Sequence, residues 1–209
     1  MFRVSRTLAL IAALGLLATA CSDGGGNQKV RDSEKSMFVE VPGDWTVFDA
    51  SALTDDLGTP FVSQDPDFLL PVLSRIVFSQ APDTSQISAP STANVPVGSA
   101  TVRSITSAQK EQLSRFLIGQ AVVPYSDYPA SQVFLNEDIE IADDFDGIQV
   151  IVAYNDPNTG SDAAVSFVSV TDPAVTKLFT IAVGCTLDCF GENQATINEI
   201  VDSWLVNTR

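Results

Sequence analysis

The chain has 209 residues, of which 45% are apolar and 18% charged, a composition typical of a packed globular chain rather than a disordered, collagen-like or coiled-coil one. It contains no histidine, which excludes catalytic triads and zinc sites that depend on imidazole. With 11 basic and 26 acidic residues and a formal net charge of -15, it lacks the basic face that phosphate groups require, so we expect no nucleic-acid partner.

The first residues have the pattern of an export signal. Arg3 and Arg6 precede an apolar run of 11 residues from Leu8 to Ala18. A helix needs about 20 apolar residues to span a bilayer, so this run is too short for a membrane span. The pattern therefore predicts a removable signal peptide over residues 1–20.

The signal peptide ends in the sequence LATAC at residues 17–21, which resembles a bacterial lipobox. The lipobox usually has a large aliphatic residue where this chain has Ala18. The resemblance implies that Cys21 is lipidated, becomes the mature N-terminus and attaches the protein to the extracytoplasmic face of the cell membrane. An ordinary signal peptide followed by a coincidental cysteine is the alternative. Residues 21–36, which are rich in glycine at their start, are predicted to form a flexible tether.

The chain has three cysteines, an odd number for an exported protein. If Cys21 carries lipid, Cys185 and Cys189 remain as a pair, which outside the cytoplasm is expected to form a disulfide. Closing so short a loop stabilises a fold by about 2 kcal/mol. A Cys-x-x-x-Cys redox site is the alternative, but the pair has neither the two-residue spacing of thioredoxin-like motifs nor an adjacent base.

A single domain is predicted over residues 37–209. It opens with a strand at Phe38–Val41, a turn at 42–44 and a second extended segment at 45–48. We expect Trp45 and Trp204 to lie in the core.

Residues 81–98 are rich in serine, threonine, alanine and proline and predict a disordered loop. A helix is predicted to follow, because Thr106 and Gln109 have the spacing of a capping box. An apolar stripe continues this helix to about Gly119, and consists of Leu113, Phe116 and Leu117.

Three strands are predicted in the second half, at 147–154, 163–170 and 178–183. Their connections are too short for crossover helices, so the strands must form an antiparallel meander. An amphipathic helix closes the chain, with apolar residues at i, i+3, i+4 and i+7: Ile197, Ile200, Val201 and Trp204. The sequence therefore predicts an α+β fold, an antiparallel β-sheet with helices packed on its faces.

The two ends of this domain, Phe38–Trp45 and Ile197–Val206, resemble those of the PsbP/Mog1-like α/β/α sandwich that is found in many actinobacterial lipoproteins. The resemblance implies a non-catalytic role in protein binding or assembly. Together with the lipobox it suggests a monomeric accessory module of the cell envelope with an envelope protein as its partner. A small-molecule or lipid carrier with a pocket between sheet and helix is the alternative, and an envelope hydrolase is the third hypothesis.

The sequence Ser107-Ala108-Gln109-Lys110 matches the S-x-x-K motif of penicillin-binding proteins. No K-T-G element follows it, and the spacing recurs by chance at helix starts. We therefore predict no enzymatic activity and no cofactor.

Acidic residues are concentrated between positions 137 and 146. Oxygen ligands grouped in this way could hold Ca2+, as could residues 156–162. Asp138 and Glu140, however, alternate with isoleucines, as on the exposed face of a strand. We expect a solvated strand and turns here, with no metal site.

A short loop carries the candidate contact residues Tyr125, Asp127 and Tyr128. Exposed aromatic residues on loops are more often contact residues than those in regular elements. The sequence thus predicts that this loop takes part in binding a partner.

Overall fold

The computed structural model describes residues 26–34, 36–49, 60–61, 71–120, 122–128, 130–141 and 144–207. The strands in this part of the chain are β1 (Asn27–Arg31), β2 (Met37–Pro42), β3 (Thr46–Phe48), β4 (Val72–Ser79), β5 (Val97–Ser104), β6 (Gln132–Ile141), β7 (Phe145–Asn155), β8 (Asp162–Thr171), β9 (Lys177–Thr186) and β10 (Leu205–Val206). The α-helices are α1 (Ser107–Gln112), α2 (Arg115–Gln120) and α3 (Leu187–Asp202).

The larger sheet has seven strands in the order β3-β4-β5-β9-β8-β7-β6, and every neighbouring pair is antiparallel. The predicted meander is confirmed as β7, β8 and β9, in which Val152 pairs with Val165 and Val165 with Gly184. The middle eight residues of β9 are all buried, as expected for a strand whose two faces are both covered. The predicted fold class, an antiparallel sheet with helices on its faces, is confirmed.

Helix α3 covers one face of this sheet and packs on β8, β9 and β2. Of its predicted apolar stripe, Ile197, Ile200 and Val201 lie on the helix and are buried. Trp204 is also buried, but the helix ends at Asp202, so the prediction that Trp204 belongs to it is wrong. Trp45 is buried as predicted.

Gly184 and Cys185 are successive residues of β9. Cys185 is bonded to Cys189 of α3, and Gly184 lies against Phe61. Because successive strand residues point to opposite faces, Phe61 belongs to the covering of the other face. Helix α2 also packs on the sheet, against β7 and β8.

A second, smaller sheet has the order β1-β2-β10, and its strands are antiparallel. Strand β1 lies inside the predicted tether, so that prediction is wrong for Asn27–Arg31 and the folded domain begins before Met37. The physical reason is local pairing: all five residues of β1 pair with β2. The Gln28 side chain also donates to the carbonyl oxygens of Pro42 and Trp45, at 3.1 and 2.7 Å.

Asp32 closes the turn between β1 and β2. Its carboxylate accepts hydrogen bonds from the Ser36 hydroxyl and the Met37 N–H, both at 2.8 Å. Burial raises the pKa of Asp32, but these hydrogen bonds lower it more, so the pKa lies below its ordinary value. The ionised form is therefore stabilised by folding.

We expect Asp32→Ala to lower the free energy of unfolding by about 1–3 kcal/mol at pH 7, because it removes hydrogen bonds to a charged acceptor. A carboxyl with a depressed folded-state pKa stabilises the fold above its unfolded pKa of about 4 and loses that contribution as the pH falls through the folded value. Urea unfolding between pH 7 and pH 2 measures this. The difference in the free energy of unfolding between wild type and Asp32→Ala should shrink below about pH 4. Asp44→Ala, at an exposed turn, is the control and should be near neutral. A difference that grows at low pH would contradict this account.

Residues 81–98 are ordered, so the prediction of a disordered loop is wrong. Two short 3-10 turns lie here, Thr84–Gln86 and Pro90–Thr92, and the segment ends in β5. Ile87 is buried against Val77, and the carbonyl oxygen of Ala93 accepts a hydrogen bond from the Thr186 N–H at 2.9 Å. The few apolar residues of this segment are enough to order it because Ile87 and Ala93 are buried in the core.

The predicted helix after Thr106 is present but divided into α1 and α2. Its capping box is confirmed, since Thr106 accepts from the Gln109 N–H and donates its own N–H to the Gln109 side chain. The chain is extended at Leu113, with ψ at 118°, and this breaks the helix. The sequence analysis did not anticipate the break.

Candidate functional site

Strand β6 is an outer strand of the seven-stranded sheet, with β7 as its sheet neighbour on one side. It has ten residues, whereas β3, at the opposite edge, has three. In an antiparallel pair, alternate residues of an outer strand point their N–H and C=O groups away from the neighbour. None of the described strands pairs with the outer side of β6, and this free edge offers a row of backbone donors and acceptors.

The start of β6 exposes apolar side chains. Phe134 is 63% exposed, the largest value among the exposed large apolar residues in the described part of the chain, and Val133 is 44% exposed. The pairing with β7 shifts between Val133 and Leu135, so that Phe134 is the extra residue of a β-bulge. Val133 and Phe134 were not predicted as surface residues, because an apolar triplet such as residues 133–135 is typical of a buried strand.

The candidate contact loop leads directly into β6, and the structure separates its three members. Asp127 is exposed and Tyr128 half-buried, but Tyr125 is only 7% exposed and belongs to the core. The expectation that Tyr125 is an exposed contact residue is therefore wrong: its 3-10 turn packs against the sheet, and burial raises the pKa of its hydroxyl. Tyr128 stacks on Tyr154 of β7, with ring centroids 5.6 Å apart.

The part of the sequence that contains β6 is acidic. Residues 116–176 contain ten acidic residues and no lysine or arginine. Glu137, Asp138 and Glu140 are exposed on β6 itself, as predicted for a solvated strand. Glu140 pairs directly with Asp146 of β7, and like charges at paired positions destabilise a sheet.

Burial and the charge of Asp156 raise the pKa of Tyr154 at the other end of β7.

The two calcium alternatives gain no support from the geometry. Within the described ranges, no group of three or more acidic or cysteine side chains could hold a metal ion. The Asp156 carboxylate accepts hydrogen bonds from the Ser91 hydroxyl and the Asn158 N–H, so its oxygens hold the β7–β8 turn. Asp143 lies outside the described residues.

The sulfur atoms of Cys185 and Cys189 are bonded, 2.04 Å apart, as the sequence predicted. The bond joins the end of β9 to the first turn of α3, and both residues are buried. The bridge therefore fixes the start of α3 on the sheet. Cys21, the predicted lipidation site, lies outside the described residues, as does the signal peptide.

The S-x-x-K motif lies on the surface helix α1, where Ser107 and Lys110 are both exposed. The Lys110 ammonium donates to the carbonyl oxygen of Ala174 at 2.5 Å. The lysine thus makes a surface contact, and the motif lies at the start of a helix, as expected from the sequence.

A groove of about 370 Å³ lies beside the turn after β1. Glu34 and Ser36 line one side, and Leu73, Val102 and Lys177 lie on the large sheet. Its lining is mixed in charge and polarity. The groove lies beside the small sheet. The carrier alternative places its pocket between the sheet and a helix, but the α3 residues that face the large sheet are buried in the core.

Among the residues that the structure describes, no helix is both long and apolar enough to cross a membrane.

Comparison with known proteins bears on the fold. No protein-family model and no curated protein sequence matches the chain. The solved cyanobacterial PsbP (CyanoP) of Synechocystis sp. PCC 6803 is 14% identical, with a TM-score of 0.50 over 96% of this chain and 99% of that one. The Ran-binding protein Mog1p of Saccharomyces cerevisiae is 10% identical, with a TM-score of 0.49 over 87% and 96%. LpqN, involved in cell envelope biogenesis of Mycobacterium tuberculosis, is 15% identical, with a TM-score of 0.49 over 87% and 90%. The likeness to PsbP shows a shared fold.

Proposed function

We propose that this chain is an extracytoplasmic lipoprotein, attached to the cell membrane through acyl chains on Cys21, whose domain binds another envelope protein and catalyses no reaction. The observation that carries the binding role is the free edge of β6 with Phe134 exposed beside it. Large exposed apolar residues are enriched where proteins meet partners.

The proposed location rests on the cysteines. Cys21 follows the lipobox-like sequence and would carry the lipid. The other two cysteines, Cys185 and Cys189, form the disulfide between β9 and α3. Disulfides form and persist in oxidising compartments outside the cytoplasm. The lipid attachment and the bond are therefore consistent with the same compartment.

The carrier alternative has less support. A carrier is expected to enclose a largely apolar cavity that covers most of its ligand. The groove near Glu34 and Lys177 is lined mostly by polar and charged residues. The α3 side chains that face the sheet are packed in the core: Ile197, Ile200 and Val201. A binding surface on the outside of the domain explains these features better.

Site-specific photo-crosslinking in intact cells tests the proposal. We place a photoreactive phenylalanine analogue at one of three exposed positions: Phe134 in β6, Leu187 in α3 or Leu205 in β10. We expect a defined protein adduct, identified by mass spectrometry, from at least one position. Irradiated wild type is the control. If all three positions give lipid or no adducts, the proposed protein-binding role is wrong.

A further inference from the structure

We propose that β6 binds a basic, extended segment of a partner protein, which adds to the large sheet as an eighth strand. This inference rests on the proposed binding function and names the surface and the chemistry of the partner. Three independent features of β6 lead to it: its backbone edge, its charge and its exposed apolar end.

The backbone edge of β6 is long enough to bind a strand. Ten residues run along it, and none is proline, lysine or arginine. Proline, lysine and short length are among the means by which proteins prevent an outer strand from pairing with another chain, as are bulges, so the bulge at Phe134 confines regular pairing to residues 135–141. Extended peptides bind such edges through main-chain hydrogen bonds, and alternate side chains provide specificity.

The charge of β6 selects the partner. A second copy of this chain carries the same acids, so two β6 strands paired with Glu137 facing Glu140 would bring like charges to facing positions, which destabilises a sheet. Glu140 already faces Asp146, so the sheet edge holds two carboxylates at one paired position. A segment with lysine or arginine at alternate positions would relieve this repulsion. The partner is therefore basic and differs from this chain.

The apolar end of β6 sets the register of the partner. Val133 and Phe134 are exposed next to the bulge, whereas the acids lie at the other end of the strand. An apolar residue of the added segment would cover Phe134, with its basic residues beyond. The motif we expect is an apolar side chain at one end of an alternating basic strand.

Binding of a synthetic peptide to the full chain, purified from membranes in detergent, tests the inference. The probe is a fluorescent ten-residue peptide in which lysine alternates with valine after an initial leucine. The control peptide carries two central prolines at equal charge and cannot form a continuous strand. By fluorescence anisotropy we expect the first peptide to bind at least about tenfold more tightly. Amide hydrogen exchange at residues 132–141 should slow on binding. Equal affinities, or no change in exchange, would overturn the inference.

A pair of double variants separates the site from general charge attraction. We expect Asn136→Lys with Glu140→Lys, whose side chains lie on the same face of β6, to weaken peptide binding at least about tenfold. The matched control, Gln194→Lys with Glu199→Lys on the exposed face of α3, makes the same change in net charge and should alter affinity less than about twofold. Glu140→Lys should also keep or raise the urea midpoint, because it removes the repulsion with Asp146. Equal loss in both double variants would overturn the inference.

The crosslinking experiment then distinguishes this inference from the proposed function. An adduct at position 134 whose partner peptide is extended and rich in lysine or arginine supports both. Protein adducts that form only at position 187 or 205 keep the proposed function and overturn the role of β6.

Discussion

Replacing Cys21 with alanine is expected to abolish acylation of the protein and the cleavage that follows Ala20. Each buried CH2 group of an acyl chain contributes about 0.8 kcal/mol to membrane binding, and two chains are enough for stable anchoring. If the variant is fused to an ordinary cleavable export signal, we therefore expect it in the aqueous fraction, with at least about a hundredfold lower membrane partition. Metabolic labelling with a palmitate analogue and the intact mass of the N-terminus are the measurements.

The control retains Cys21 and removes the other two cysteines, as Cys185→Ala with Cys189→Ala. This double variant should keep its acyl label, although it loses the bond between β9 and α3. The lipoprotein hypothesis is wrong if the Cys21→Ala protein remains labelled, or if the wild type carries no label and retains Met1.

Phe179→Ala is expected to lower the free energy of unfolding by about 3–5 kcal/mol, because it leaves a cavity in a packed core. Phe179 is fully buried on β9 and meets Phe145 edge-on, with ring centroids 5.5 Å apart and an interplanar angle of 77°. A single domain has a total stability of about 5–15 kcal/mol, so this loss is a large fraction of it. Urea unfolding followed by circular dichroism measures the change.

The same substitution at Phe134 provides the matched control. Phe134 is 63% exposed, so Phe134→Ala should change the free energy of unfolding by less than about 0.5 kcal/mol. It should instead weaken binding of the lysine–valine peptide. If both alanine variants lost a similar free energy of unfolding, Phe179 and Phe134 would not differ in burial. That result would contradict the structure, in which only Phe179 of the two lies in the core.

The elements that the sequence predicted are those with a local and repeated signal. The meander was predictable because two of its three strands are apolar at successive positions and short turns join them. Helix α3 was predictable because Ile197, Ile200 and Val201 follow the helical period, although the helix ends at Asp202, before Trp204. The Thr106–Gln109 capping box was predictable because its hydrogen bonds lie within four residues.

The elements that were missed depend on contacts between separate parts of the chain. Strand β1 has a single apolar residue, Val30, and forms through its pairing with β2. Ile87 orders the segment before β5 only because Val77 lies beside it. Tyr125 has the sequence context of a loop residue, yet its loop folds onto the sheet and buries it.

The position of β6 at the edge of the sheet could not be predicted either. The sequence VFL at 133–135 has the pattern of a buried strand, and its exposure follows from the strand order and the bulge. The charge of the region was visible in the sequence. What this charge implies for binding depends on which of the described strands lies at the edge of the sheet.

In a protein lipidated at Cys21, strand β1 would limit how far the domain can move from the bilayer. It starts at Asn27, so only residues 22–26 lie between it and Cys21. An extended chain covers at most about 3.6 Å per residue, so a lipidated Cys21 would keep the first residue of β1 within about 20 Å of the lipid attachment. The protein would then search for its partner almost in two dimensions, within a thin layer at the membrane surface. A weak affinity can be sufficient there, because confinement raises the local concentration of both molecules.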